Sequence, residues 1–150
     1  MAGSYTEHFT EVSLYGGTLF PANRAAAVYN TAWLTMEENQ RAVFQIAVGV
    51  IAQAGTVDFT VQEAQDAAGT GAQAVAGKAI TQLTQAGGDG NDVIVVEVRA
   101  EEMTVNTGYN HLRGVLTVAG NTAFTAVVPL RIIPTYPPVS TAALTEVITA

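Results

Sequence analysis

Cysteine is absent from the 150 residues, so disulfides, thiolate nucleophiles and cysteine zinc sites are excluded. The redox compartment stays open. Charge is also scarce: Asp, Glu, Lys and Arg make up 13% of the chain, about half the usual level for soluble domains. Six basic residues, with Lys78 the sole lysine, face thirteen acidic ones, for a net charge of −7. Nucleic-acid binding by counterion release needs clustered Lys and Arg, and the five scattered arginines argue against it. No run approaches the ~18 apolar residues of a membrane helix. The longest candidate, Ala42–Ala54, is broken by Gln45, Gly49 and Gln53. The opening MAGSYTEHFTEV has no basic segment followed by an apolar core, unlike a secretory signal. The expectation is a chain made in the cytoplasm and soluble until it assembles, with no membrane partner.

What is present is an ordinary apolar fraction, 49%, with Ala, Gly, Thr and Gln where most proteins carry Lys and Glu. Interface cores are depleted of charge, so this composition predicts subunit association. The length suits one domain, which buries roughly 70% of the surface its unfolded chain exposes.

Residues 1–30 show no clear period. Tyr5, Phe9, Val12, Leu14, Tyr15, Phe20 and Tyr29 stand among Gly16-Gly17, Pro21 and Asn23. That is too irregular for a core and too aromatic for a disordered tail, so an extended arm is predicted. The body is predicted over 31–133. It opens with TAWLTM, in which Trp33 reads as a core anchor. Phe44, Ile46, Val48 and Val50 then alternate with Val43, Gln45, Ala47 and Gly49, a strand of period two. Across Ala54-Gly55, Val57, Phe59 and Val61 alternate with Asp58, Thr60 and Gln62. Two such runs read as an antiparallel hairpin.

Ala64–Gln85 carries a helical stripe, but its glycines favour short strands and loop. Gly87–Asn91 is a turn, and Asp92–Arg99 a strand expected to be buried on both faces near its start. Ala100–Met103 reads as a short turn. Tyr109–Ala119 and Thr122–Ile133 are predicted as a second hairpin around Gly120-Asn121. Pro129 cannot donate to a ladder, so its strand is expected at an edge or with a bulge there. Pro134, Pro137 and Pro138 predict an extended tail over 134–150. The fold class is therefore all-β: an antiparallel β-sandwich, jelly-roll-like or barrel-like, with an N-terminal arm and a C-terminal tail.

No residues assemble into catalytic chemistry. His8 and His111 have no HxH, HxxxH or HExxH spacing. Asp89-Gly90-Asn91-Asp92 lacks the alternating ligands and distal glutamate of a calcium loop. Neither Gly69-Thr70-Gly71 nor Gly87-Gly88 has phosphate-loop context, and no GxSxG elbow exists. Arg99 and Arg113 are expected to pair with nearby carboxylates. Neither an enzyme nor a cofactor-binding protein is predicted.

The segments VDFTVQEAQDAAGTGAQAVAGKAITQL, VIVVEVRAEEM and YNHLRGVLTV resemble small virion structural proteins of tailed double-stranded DNA bacteriophages. The shared pattern is a strand ending in Gln/Glu, an Asp-x-x-Gly-Thr turn, and later an aromatic followed by Leu-Arg in a strand. It spans about half the chain and carries no residue-level functional motif. The resemblance implies a capsid decoration (cement) protein on the exterior of the virion. Its partner would be the major capsid protein, and it would form a homo-oligomer, with a trimer favoured. Tyr5, Phe9, Phe20, Tyr136 and Pro137 are the interface candidates. The alternatives are a head–tail connector or tail component, or a carbohydrate- or host-binding β module using Tyr109, Tyr136 or Trp33.

Overall fold

The computed structural model describes Phe9 and residues 13–134, with side chains through Ile132. Eleven strands form two antiparallel sheets. They are β1 (Ser13–Tyr15), β2 (Leu19–Arg24), β3 (Ala27–Asn30), β4 (Leu34–Thr35), β5 (Asn39–Ile51) and β6 (Thr56–Ala64). After them come β7 (Gln73–Ala79), β8 (Leu83–Thr84), β9 (Asp92–Arg99), β10 (His111–Ala119) and β11 (Ala123–Pro134). Two 3-10 turns, Ala100–Glu102 and Val105–Thr107, separate β9 from β10, and no α-helix occurs among the described residues.

Sheet one runs β1-β11-β5-β9, with β2 continuing β1 along β11; sheet two runs β3-β10-β6-β7, with β4 continuing β3 and β8 continuing β7. Taking each broken pair as one position gives the orders 1-8-3-6 and 2-7-4-5. This is the order of a double-sheet jelly roll. The β-sandwich expected from the strand pattern is present, in its jelly-roll form.

The core lies between the sheets and follows from period two. Ala42, Phe44, Ile46 and Val48 of β5 face Val57, Phe59 and Val61 of β6, all buried. The Phe44 and Phe59 rings meet with centroids 5.7 Å apart. Gly114 of β10 lies under that contact, and a Cβ there would stand 2.6 Å from Phe59 Cζ.

Both predicted hairpins are corrected. β5 and β6 lie in different sheets, as do β10 and β11. Each connection is an arch across the sandwich, and the two arches satisfy one another. Ala52 N donates to Thr122 O at 2.9 Å, and Asn121 Nδ2 donates to Gln53 O at 3.0 Å. Gly120, at φ 72°, lies so close to Ala54 O that no side chain fits. Alternation identifies a strand but not its partner. The 64–85 stretch does resolve into short strands and loop, as expected.

Other expectations change too. Residues 13–30 of the proposed arm are edge strands of the body, because β1 and β2 pair with β11 and β3 pairs with β10. The strand of Pro129 is interior to sheet one, and Pro129 sits where pairing on that side passes from β1 to β2. Trp33 is half-buried rather than a core anchor; Leu34 and Met36 beside it fill the core. The start of β9 is exposed instead of doubly buried, since β9 ends its sheet and nothing described covers its outer face.

Candidate interaction surface

The two outer faces differ in chemistry. On sheet two, β6 turns Thr56, Asp58, Thr60 and Gln62 outward, and β10 turns His111, Arg113 and Thr117 the same way. On sheet one, the register places Val93 and Val95 of β9 beside Ala47 and Gln45 of β5, with Ala126 and Val128 of β11 next in line. Val50 and Phe124 extend this face at one end, the Phe124 side chain lying against Gly49. Val93 is 71% exposed, Val50 69% and Val95 58%. Between Asn23 and the Arg41–Glu97 ion pair, 3.3 Å long, no charged side chain among the described residues stands on the face. A shallow cleft of about 510 Å³ at its Phe124 end is lined by Asn23, Gly49, Val50 and Asn91.

Of the expected interface residues, Phe9 and Phe20 are described. Phe9 packs edge-on against Tyr15 of β1, centroids 6.3 Å apart. Phe20 on β2 is 75% exposed. Both belong to the margin of sheet one formed by β1 and β2. Tyr5, Tyr136 and Pro137 lie outside the described residues, as does His8. Of the residues that form most of the exposed face, Val93, Val95 and Phe124 were not singled out as interface candidates by sequence, and Val50, which the alternation grouped with Phe44, Ile46 and Val48, is turned outward where the β5–β11 register shifts. The available signal was the alternation within DVIVVEVR, which places Val93 and Val95 opposite Ile94 and Val96.

Polar groups elsewhere serve as structural ties. Glu63 is buried at the end of β6. Its Oε1 accepts from Gln73 Nε2 at 2.7 Å and from Thr104 Oγ1, and its Oε2 accepts from Thr104 N at 2.8 Å. The carboxylate thereby fastens the 3-10 region onto sheet two. Asp66 closes the β6–β7 turn. Its carboxyl is held below the usual range by the Thr70 hydroxyl first, then by the Thr70 and neighbouring backbone N–H groups. Glu102 is likewise lowered, first by the Arg99 N–H and then by Lys78.

Arg99 pairs with Glu101 at 3.1 Å. Arg113 does not pair with a carboxylate: it donates to Gln62 Oε1 at 3.0 and 2.8 Å and covers the Trp33 ring at 4.4 Å. That guanidinium occupies one face of the indole that a sugar would stack on. Tyr109 is engaged through its hydroxyl, which donates to Gly71 O at 2.9 Å. The His111 ring hydrogen-bonds Asn110 Oδ1 through Nδ1, at 2.6 Å. No group of three or more His, Asp or Glu among the described residues is arranged to hold a metal ion.

Two similar solved chains come from viruses. A chain from the cryo-EM structure of Broad Bean Stain Virus aligns over 97% of this chain and 99% of its own length, at 8% identity and TM-score 0.45. A chain from infectious bursal disease virus, Gt strain, aligns over 83% of this chain and 42% of its own length, at 8% identity and TM-score 0.30. No family model and no curated protein matches the sequence.

Proposed function

We propose that this chain is a non-enzymatic structural protein of a virion, of the decoration type, which binds the exterior of a major capsid lattice and stabilises the head. The observation that carries the reading is the asymmetry of the sandwich. Sheet two presents a mostly polar surface with charged Asp58 and Arg113 and a single exposed valine, Val28, on β3, while sheet one presents Val50, Val93, Val95 and Phe124 with no charge between them. Exposed apolar area of this kind marks interaction sites, and charge depletion is the compositional sign of an interface core. A jelly roll occurs in viral capsid proteins and equally in lectins and cupins, so the fold alone does not choose among them. The sequence resemblance to phage virion proteins favours the first. A lectin-type use of Trp33 is disfavoured by the Arg113 guanidinium on its ring.

Repeated on a lattice, many modest contacts of this kind sum to tight retention. The net charge of −7 keeps free subunits soluble and repels nucleic acid. The test is co-sedimentation with purified expanded capsids, together with capsid melting temperature. The native chain is expected to bind and to raise the melting temperature. The Val50→Asp/Phe124→Asp variant is expected to fold and to lose both effects. Capsids that neither bind the native chain nor gain stability would overturn the reading.

A further inference from the structure

β9 ends sheet one: one rim bonds to β5, and the other forms no ladder with any strand among the described residues, although β7 of the other sheet packs close to it. In an antiparallel pair, residues alternate between bonding to the partner and directing both backbone groups away from it. The Glu97 carbonyl accepts from Lys78 Nζ at 2.8 Å, so Glu97 belongs to the outward set, and Val95 and Val93 belong with it. Their exposed apolar side chains make this rim a template for pairing with another chain.

Lys78 reaches it from the edge of the other sheet. The register of β7 on β6 slips between Thr60↔Ala79 and Gln62↔Ala74, and Gly77, at φ 72°, lies within the slip. This irregularity lets Lys78 cross the open side of the sandwich. Its ammonium there holds both the Glu97 carbonyl and Glu102 Oε2, each at 2.8 Å, with its side chain only 19% exposed.

We propose that Lys78 is a guard on the free rim of β9, and that the occupant it keeps out is β9 of a second copy of this chain. Antiparallel strands pair with their own copies about a two-fold axis. Of the registers that keep the outer faces on one side, two engage the most of β9. Centred on Val95, the pairing opposes Val93 to Glu97 and Ile94 to Val96. Centred on Val96, it opposes Val95 to Glu97 and Val93 to Arg99. Neither sets like charges against each other, although each copy carries −7. Both registers need the Glu97 carbonyl as acceptor for the second copy, for the N–H of Val93 or of Val95. The Lys78 ammonium lies against that carbonyl on the same rim, where the strand of a second copy would approach, so guard and second copy compete for one place. This inference stands apart from the virion reading and is tested without capsids.

The experiment is sedimentation velocity over a concentration series. Against the native baseline, Lys78→Met is expected to raise the self-association constant about tenfold or more. Adding Val95→Lys, which restores a cation to the rim, is expected to return it to the native value. Glu102→Gln leaves Lys78 on the Glu97 carbonyl and is expected to match the native chain. A folded Lys78→Met variant within about twofold of native, or association that persists in the double variant, overturns the proposal. Should Lys78→Met fail to fold, acetylation of the folded native chain neutralises the same ammonium, the only lysine present. The same rise is then expected, and an unchanged constant overturns the proposal.

Discussion

Gly114 offers a sharp test of how the two sheets meet. Its hypothetical Cβ lies 2.6 Å from Phe59 Cζ, 2.7 Å from Phe59 Cε2 and 3.2 Å from Phe44 Cδ1. Ordinary contact is 3.4 Å or more, so the Phe59 ring must retreat by close to 1 Å. Phe44 blocks one retreat, and both rings are buried. Overpacking of this kind costs about 1–3 kcal/mol, and the poor room for adjustment puts Gly114→Ala at the upper end, near ~3 kcal/mol. Phe59→Leu alone removes part of a ring and costs about 1–2 kcal/mol, less than a full Phe→Ala truncation. In the double variant the methyl enters space the ring has left. Its destabilisation should therefore stay near that of Phe59→Leu rather than reach the sum, a coupling of about 2–3 kcal/mol. Urea denaturation of the four proteins measures it. Additivity within ~0.5 kcal/mol would show that Gly114 and Phe59 do not share one space, and the packing argument would fail.

Trp33 is the only tryptophan and so reports on its own surroundings. Arg113→Met removes the cation from the indole face, and is expected to shift the emission maximum to longer wavelength and lower stability by about 1 kcal/mol; unchanged emission would contradict the stacking. Asp66 titrates below its ordinary range because the Thr70 hydroxyl and backbone N–H groups stabilise its charged form. A depressed folded pKa contributes stability above the unfolded value of about 4, and that contribution fades as pH falls through the folded pKa. The gap in urea midpoint between the native chain and Asp66→Asn is accordingly expected to be full at pH 6 and to narrow below about pH 4. A gap that widens with acid would refute the assignment.

The strands were legible in the sequence and the sheets were not. Phe44, Ile46 and Val48, or Val57, Phe59 and Val61, show their period within a few residues, because alternation is a local property of the chain. Pairing is not local. In the observed order the one connection between neighbouring positions is β6–β7, through the turn closed by Asp66 and Thr70. Every other connection crosses the sandwich. A short Gly-containing break such as Ala54-Gly55 serves a hairpin and an arch equally well. What selects the arch is the second arch at Gly120, 65 residues further on, whose backbone groups complete the first.

The candidate interaction surface follows from composition in kind but not in place. Low charge predicted contact somewhere, and the aromatic residues of the arm drew attention to Phe9 and Phe20. The structure concentrates the uncharged surface on one side. Asp58 and Gln62 occupy the outward positions of β6, while Val93 and Val95 occupy those of β9, though both strands alternate. Sequence could compare the two strands but could not tell which face of β9 pointed inward, since Ile94 and Val96 are as apolar as Val93 and Val95. Register against β5 decides it, by setting Ile94 opposite Ile46 and Val96 opposite Phe44. β9 therefore has five apolar side chains where three, Ile94, Val96 and Val98, close the core, and the surplus pair lies on the exposed face and along the rim that Lys78 covers. A strand that needed only to complete a sandwich would carry polar residues at 93 and 95, as β6 does at 58 and 62. Their absence is the strongest support for the proposed contact of this side of the molecule with another protein.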